Sequence, residues 1–189
     1  MRELFDIVKH NFDPDGERYI RPSVRGIIIK DGKIALVHSI KYDYYKFPGG
    51  GKHPDENNTE TLIREVREET GLSVIAGSIR EYGHVLRMEK GNPEDIFVQD
   101  NYYYFCETLE TEGSQELDDY EADESFTLEW VNPEDMIVVN DRFTELCKGK
   151  TERPYVVKSV EAYRDARVMR MLIEEGFVTD NCILGDIES

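Results

Sequence analysis

The chain has 189 residues, a length that suits one domain with a sizeable hydrophobic core. Its 23 basic and 40 acidic residues give a net charge of −17, which argues against a broad surface for a nucleic-acid polymer or a membrane. A protein this acidic would need a divalent cation between its carboxylates and any anionic phosphate ester.

The cysteines and the absence of long apolar runs set the expected compartment. Cys106, Cys147 and Cys182 are odd in number and widely spaced, which fits neither a zinc site nor a disulfide framework. No signal peptide and no apolar run of about 18 residues is present. The expectation is therefore a cytoplasmic protein in a reducing environment.

The first third of the chain predicts short strands that lead into a glycine loop. Residues 4–8 alternate in polarity and predict an edge strand. Residues 21–30 and 34–39 predict two strands joined by a hairpin at Asp31-Gly32. An aromatic stretch over residues 42–47 then predicts a strand that enters the loop.

A helix is predicted from about Asn58 or Thr59 to residue 70, with either residue as N-cap and Gly71 after its end. Glu65, Glu68 and Glu69 share one face of this helix, since they are spaced i, i+3 and i+4. Their mutual repulsion and the helix dipole both disfavour this arrangement, so a cation is expected to offset it. Clustered carboxylate oxygens suit Mg²⁺ or Mn²⁺.

The region after this helix predicts more strands and a short helix. We expect a long strand over residues 74–86 with a bulge at Gly77, a turn at 91–93, and a strand over 96–108. An acidic loop over 110–123 precedes a strand over 126–131, and Pro133 begins a short helix.

The last long segment predicts an amphipathic helix over residues 155–177. Its apolar positions recur at three- and four-residue steps: Val156, Val160, Tyr163, Ala166, Met169 and Ile173. This stripe either docks on the chain's own domain, as a helical extension over 151–189 packed on a domain over 1–150, or forms a homodimer. The periodicity alone predicts an α/β or α+β fold.

The segment from Gly50 to Leu72 resembles the Nudix box. That motif is a glycine, five residues, a glutamate, seven residues, and then Arg-Glu-apolar-x-Glu-Glu-x-Gly-apolar, and every fixed position is met. The preceding Tyr-Lys-Phe-Pro-Gly-Gly is also similar to the family's approach to the box. The resemblance implies the Nudix fold, a mixed β-sheet sandwiched between helices, here with an added C-terminal helix.

The resemblance also implies roles for individual residues. Glu68 and Glu69 correspond to the usual metal ligands, and the backbone carbonyl of Gly49 or Gly50 often joins them. Glu65 corresponds either to a further ligand or to the group that orients or deprotonates water, and its position leaves both roles open. Two further box residues have supporting roles: Arg64 usually binds a carboxylate, and Glu56 usually stands near the loop.

Other residues are weaker candidates for the site. Many family members use an additional acid from a later loop, for which Glu121, Asp123 and Glu124 are candidates beside the alternative of a solvated acidic loop. Tyr45 could stack on a base.

The predicted function is Mg²⁺- or Mn²⁺-dependent hydrolysis of a phosphoanhydride in a nucleoside diphosphate linked to another moiety. The expected partner is thus a small nucleotide derivative, and a nucleoside triphosphate pyrophosphatase is one form of this activity. The mark expected for ADP-ribose hydrolases is missing, since Met88 stands where a proline is expected. The alternative is a Nudix-like module that binds a nucleotide without catalysis.

Overall fold

A computed structural model describes residues 1–178 of the chain. The strands are β1 Glu3–Val8, β2 Arg18–Ile20, β3 Ser23–Ile27, β4 Ile29–Lys30, β5 Lys33–Ser39, β6 Tyr44–Lys46, β7 Leu72–Val74, β8 Arg80–Lys90, β9 Ile96–Phe105, β10 Thr108–Glu112 and β11 Phe126–Val131. The helices are α1 Asn58–Thr70, α2 Asp119–Asp123, α3 Pro133–Leu146 and α4 Arg153–Glu174.

The largest sheet mixes parallel and antiparallel pairs. Strands β8 and β9 form a long antiparallel hairpin, β1 lies parallel to β8 at one edge, and β2 and β3 lie parallel to β9 at the other. A second sheet joins β4, β5, β6 and β11 through antiparallel pairs centred on β5. The predicted hairpin at Asp31-Gly32 is confirmed: it links β4 to β5, with positive φ at both residues (51° and 72°), as a tight hairpin turn requires.

The strands lie between helices, which confirms the predicted mixed fold. Leu62 and Val66 of α1 pack against Val24, Ala35 and other residues on one face of the strands. On the opposite face, the residues of α3 and α4 join a second core with β1, β5 and β8: Phe5, Leu36, Val85, Met136, Val168, Met169 and Leu172. Alternation along β9 sends neighbouring residues into both cores.

Helix α1 begins at Asn58, as predicted, but its N-cap lies one residue before the predicted candidates. Asn57 is the N-cap: its side chain accepts the Glu60 amide, and the Glu60 carboxylate accepts the Asn57 amide in return. This reciprocal capping box fixes the start of the helix. Gly71 ends it in the left-handed conformation, as predicted, with φ 75°.

Two predicted elements are wrong in their extent. The strand expected over residues 74–86 is divided, because a 3₁₀ turn at Ala76–Ser78 separates β7 from β8. The acidic segment over 110–123 is only partly a loop, since β10 extends to residue 112 and α2 begins at Asp119. Strand β10 pairs with β7, a partner that its charged sequence does not indicate.

Helix α4 buries a face close to the predicted one. Val160, Ala166 and Met169 are buried as expected, whereas Tyr163 is 43% exposed, so its assignment to the buried stripe is wrong. Leu172 of α4 is fully buried against the chain's own core. The division into residues 1–150 and 151–189 and the homodimer remain predictions.

The remaining expectations concern cysteines and membranes. Within residues 1–178, Cys106 and Cys147 are buried and form no disulfide, and Cys182 lies outside the described residues. The last residues, from about Asn181, predict a frayed chain end, and they too lie outside the described residues. None of the described helices combines the length and the apolar character that crossing a bilayer requires.

Candidate active site

Arg64 holds the carboxylate of Glu56 through two hydrogen bonds. Its Nε donates to Glu56 Oε1 at 2.6 Å, and its Nη2 donates to Glu56 Oε2 at 2.9 Å. Glu56 precedes α1, so this pair ties the approach segment to the middle of the helix. The guanidinium lowers the pKa of the Glu56 carboxyl to about 2, against the opposing effect of burial. Glu56 is therefore ionised at neutral pH.

The same guanidinium brings two more carboxylates together. Its Nη1 donates to Glu65 Oε1 and to Glu68 Oε2, each at 2.9 Å. Burial raises the pKa of Glu65, and the charge of Arg64 opposes that rise. Glu68 is more open, with 36% of its side chain exposed, so a ligand from solvent can reach it.

Glu69 points into the protein and is only 1% exposed. Its Oε1 accepts a hydrogen bond from Lys46 Nζ at 2.5 Å, and its Oε2 accepts one from the Gly49 amide at 2.8 Å. Burial raises the pKa of Glu69 to about 7, although the ammonium of Lys46 lowers it. Both oxygens of this carboxylate are thus engaged by the strand and loop that precede α1.

The glycines before α1 let the backbone approach these carboxylates closely. A Cβ built on Gly50 would lie 2.3 Å from Glu65 Oε2, so a side chain there would displace Glu65. The carbonyl of Gly50 accepts a hydrogen bond from the backbone of β3, and Arg25 Nη1 donates to the carbonyl of Gly49. Both hydrogen bonds come from β3, which therefore holds the loop in place.

The two loop acids lie in different surroundings. Glu121 is close enough to Glu69 for its charge to raise the Glu69 pKa, so it approaches the box helix. Glu124 lies 2.5 Å from Lys158 Nζ and accepts a hydrogen bond from Ser39 Oγ at 3.1 Å. Glu124 thus links β5 to α4, and the structure does not bring it to the Arg64 carboxylates.

Tyr45 also makes its contacts outside this cluster, and its stacking on a base stays a prediction. Its ring stacks on His38 at a centroid distance of 4.4 Å, and its hydroxyl donates to Glu129 Oε2 at 2.8 Å. Side chains alternate along a strand, so Tyr45 takes the face opposite to that of its neighbour Lys46. Lys46 is the residue that turns toward Glu69.

Sequence reasoning missed Lys46 and Arg25. Both are buried, with exposed fractions of 7% and 6%. The available signal was a cation within each of two strands made mainly of apolar or aromatic residues, because a buried charge requires a partner. The sequence gives no indication of which carboxylate or carbonyl that partner is.

The donor atoms fit a hard divalent cation in type. Glu65 and Glu68 present carboxylate oxygens around one nitrogen of Arg64, and the lack of a side chain at Gly50 lets the loop backbone come close to Glu65. Among residues 1–178, however, no three Asp, Glu, His or Cys side chains converge on a common metal-binding point. Glu69 would join such a site only by exchanging its contact with Lys46 or with the Gly49 amide.

Comparison with known proteins identifies a family for most of the chain. The model of the NUDIX domain family matches residues 20–149. An RNA pyrophosphohydrolase from Xylella fastidiosa is 43% identical over 61 residues, which are 32% of this chain and 30% of that protein. One from Xanthomonas campestris pv. campestris is 44% identical over 62 residues, which are 32% of this chain and 28% of that protein. The match thus spans less than a third of each relative.

Among solved structures, a NUDIX hydrolase from Nitrosomonas europaea is similar to this chain. It has a TM-score of 0.49 and 18% sequence identity, and the match covers 77% of this chain and 89% of that one.

Proposed function

This chain belongs to the NUDIX domain family, and we propose that it hydrolyses a phosphoanhydride bond in a nucleoside diphosphate linked to another moiety. The observation that carries the proposal is the contact of one guanidinium, that of Arg64, with Glu56, Glu65 and Glu68. A structural helix has no need to gather three carboxylates beside a tight glycine loop. A site that binds a cation and a phosphate does need them.

We assign the divalent cation, Mg²⁺ or Mn²⁺, to Glu65, Glu68 and Glu69, with the carbonyl of Gly50 as a further donor. Such an ion supplies charge stabilisation on phosphate oxygens and lowers the pKa of a bound water. The carboxylate of Glu65 orients the attacking water or accepts its proton. Glu121, which lies near Glu69, is the loop acid that we assign to the same region.

Arg64 and Glu56 support this arrangement without touching the substrate. The planar fork of Arg64 binds Glu56 with two nitrogens and directs the third toward Glu65 and Glu68. Arg64 is therefore a positioning residue, and Glu56 fixes the orientation of its guanidinium.

The substrate is a nucleotide derivative, and two forms of it are favoured by separate observations. A free nucleoside triphosphate fits the net charge of −17, which disfavours long contacts with a polymer. The 5′ end of an RNA is favoured by the local similarity to RNA pyrophosphohydrolases. The competing reading is a module that binds the nucleotide without hydrolysing it.

Hydrolysis of a panel of compounds, measured by chromatography of the products, tests the proposal. The panel contains nucleoside triphosphates, ADP-ribose, NADH, dinucleoside polyphosphates, coenzyme A and a 5′-triphosphorylated RNA, each with Mg²⁺ and with Mn²⁺. We expect turnover of at least one compound that stops when EDTA is added. No turnover of any compound, combined with measurable binding of one, would favour the non-catalytic module.

Replacing Arg64 with lysine should lower turnover while the protein stays folded. Lysine keeps the charge, but one ammonium cannot hold Glu56 through two parallel bonds and still reach Glu65 and Glu68. We expect a loss of about ten-fold or more in kcat, measured on the best substrate of the panel. Arg80→Lys, on an exposed residue of β8, is the matched control. Full activity of Arg64→Lys would mean that charge alone matters at this position.

A further inference from the structure

A cleft separate from the carboxylates of the Nudix box includes Arg21, which packs on Gly51 of the glycine loop. The cleft has a volume of about 750 Å³ and is bounded by β2, the β8–β9 hairpin and the start of α4. This volume is in the range of small-molecule sites. Its lining contains three glutamates and five cations, and we therefore call it the cationic cleft. The cations are Lys9, Arg21, Arg87, Lys90 and Arg153. A local excess of cations stands out in a chain with a net charge of −17.

The acidic residues of the cationic cleft do not neutralise all of these cations. Glu89 is shared by Lys9, whose Nζ lies 2.8 Å away, and by Arg87. Arg21, Lys90 and Arg153 form no salt bridge with any carboxylate of the described part of the chain, and all three are exposed. Exposed cations around a concave surface attract an anionic ligand.

The floor of the cleft contains a buried cation with spare donor capacity. Arg87 is only 3% exposed, and its Nε has no hydrogen-bond partner in the described structure. Buried donors are normally satisfied, so such a group marks either a cost to the fold or a place for an acceptor. Gln99, 7% exposed, lies on the same wall and adds an amide to it.

Two aromatic rings stand at the same cleft. Tyr19 of β2 and Phe97 of β9 are register partners, and their ring centroids are 6.1 Å apart. Tyr19 is 46% exposed, so part of its ring is open to a ligand in the cleft. Exposed aromatic rings beside cations provide the stacking surface and the charge that nucleotides use.

Arg21 connects the cationic cleft to the carboxylates of the box. Its guanidinium packs on Gly51, where a built Cβ would lie 2.8 Å from Arg21 Nη2. Gly51 in turn accepts a hydrogen bond from Arg64 Nη2 at 3.3 Å. A chain of phosphates that begins at the box carboxylates can therefore continue over Arg21 into the cleft.

We propose that the cationic cleft binds a nucleotide portion of the substrate, with phosphates on Arg21, Lys90 and Arg153 and the base on Tyr19. This inference rests on the proposed function, because it assigns the part of the substrate that the box carboxylates do not hold. The nucleotide has two sources with the same chemistry, a free nucleotide or the 5′ end of an RNA. The start of α4 would then take part in substrate binding, since Arg153 lines the cleft.

Binding without metal tests the cleft independently of hydrolysis. Isothermal titration in EDTA uses two probes, ATP and a 5′-triphosphorylated RNA tetramer, on the wild-type chain and on Arg21→Gln/Arg153→Gln. The matched control is Lys30→Gln/Lys33→Gln, which changes the net charge equally at two exposed residues outside the cleft. Thermal denaturation confirms that each variant is folded.

We expect the tighter of the two probes to identify the source and to bind at least ten-fold more weakly to Arg21→Gln/Arg153→Gln, with little change in the control. Tyr19→Ala should weaken the binding of ATP but leave the binding of inorganic tripolyphosphate unchanged. The proposal that the cleft binds a nucleotide would be overturned if neither probe bound to the wild type, or if the wild type and the cleft variant bound equally well. If the cleft binds a probe but no compound is turned over, the proposed function is rejected and the nucleotide site is not. If a compound is turned over with a KM that the cleft variant does not change, the nucleotide site is rejected and the proposed function is not.

Discussion

Replacing Glu65 with glutamine is expected to lower kcat by about 10²–10⁴ while the fold is kept. Glutamine has nearly the same size, so it fits beside Gly50, where space is too small for a Cβ. It lacks the negative charge that Arg64 Nη1 binds and that a water or a cation would use. The measurement is steady-state kinetics on the best substrate, with Glu145→Gln on the exposed face of α3 as the matched control.

The metal dependence of this variant separates the two roles of Glu65. If Glu65 only accepts a proton from water, metal affinity should barely change while kcat falls. If Glu65 is a ligand, metal affinity should fall as well, and a higher Mn²⁺ concentration should restore part of the rate. Unchanged kcat together with unchanged metal affinity would remove Glu65 from the mechanism.

Replacing Lys46 with methionine should destabilise the protein by about 3–5 kcal/mol, because it leaves the buried carboxylate of Glu69 without its partner. Lys46 Nζ lies 2.5 Å from Glu69 Oε1 and 4.4 Å from the centre of the Phe126 ring. Methionine keeps the length and the contact with that ring but not the charge. The change is measured as the free energy of unfolding in urea.

The double variant Lys46→Met/Glu69→Gln tests whether the unpaired charge is the cause. Glutamine removes that charge and can still accept the Gly49 amide, so the double variant should be more stable than Lys46→Met alone. Lys148→Met is the control, since Lys148 forms an exposed pair with Glu145 that is worth at most about 1 kcal/mol. A loss of less than about 1 kcal/mol in Lys46→Met would show that Glu69 is stable in the interior without the lysine.

This pair also bears on the site, because Glu69 binds the Gly49 amide and so positions the glycine loop. The ammonium of Lys46 is the positive partner of the Glu69 carboxylate. Glu69 is thus better placed to hold the loop than Glu68, whose side chain is 36% exposed, and Glu68 is better placed to meet a ligand from solvent.

The sequence predicts those features that depend on contacts between residues close together in the chain. The helix from residue 58 to residue 70 depends on its apolar stripe, on a capping residue and on Gly71, all of which can be read within one window. The contacts of Arg64 with Glu65 and Glu68 lie within one helical turn, so spacing alone brought them together. The N-cap was misplaced by one residue because Asn57 and Asn58 are equally suitable by type.

Contacts between distant segments could not be predicted in the same way. Lys46 meets Glu69 only after β6 and α1 pack together, and alternation gave no basis for choosing Lys46 rather than Tyr45 as the inward residue. The cationic cleft is still harder to predict, because β2, the β8–β9 hairpin and α4 each contribute a few residues to it. In sequence these cations are dispersed among acids, so composition conceals them.

Titration of Mn²⁺ into the wild-type chain and into Glu65→Gln/Glu68→Gln is the most direct test of the site proposed here. We expect saturable binding to the wild type that weakens strongly in this double variant. We also expect Glu145→Gln/Glu174→Gln, which changes two exposed glutamates outside the site, to bind Mn²⁺ as the wild type does. Equal Mn²⁺ affinity in the wild type and in Glu65→Gln/Glu68→Gln would contradict the assignment of the divalent cation to the carboxylates around Arg64.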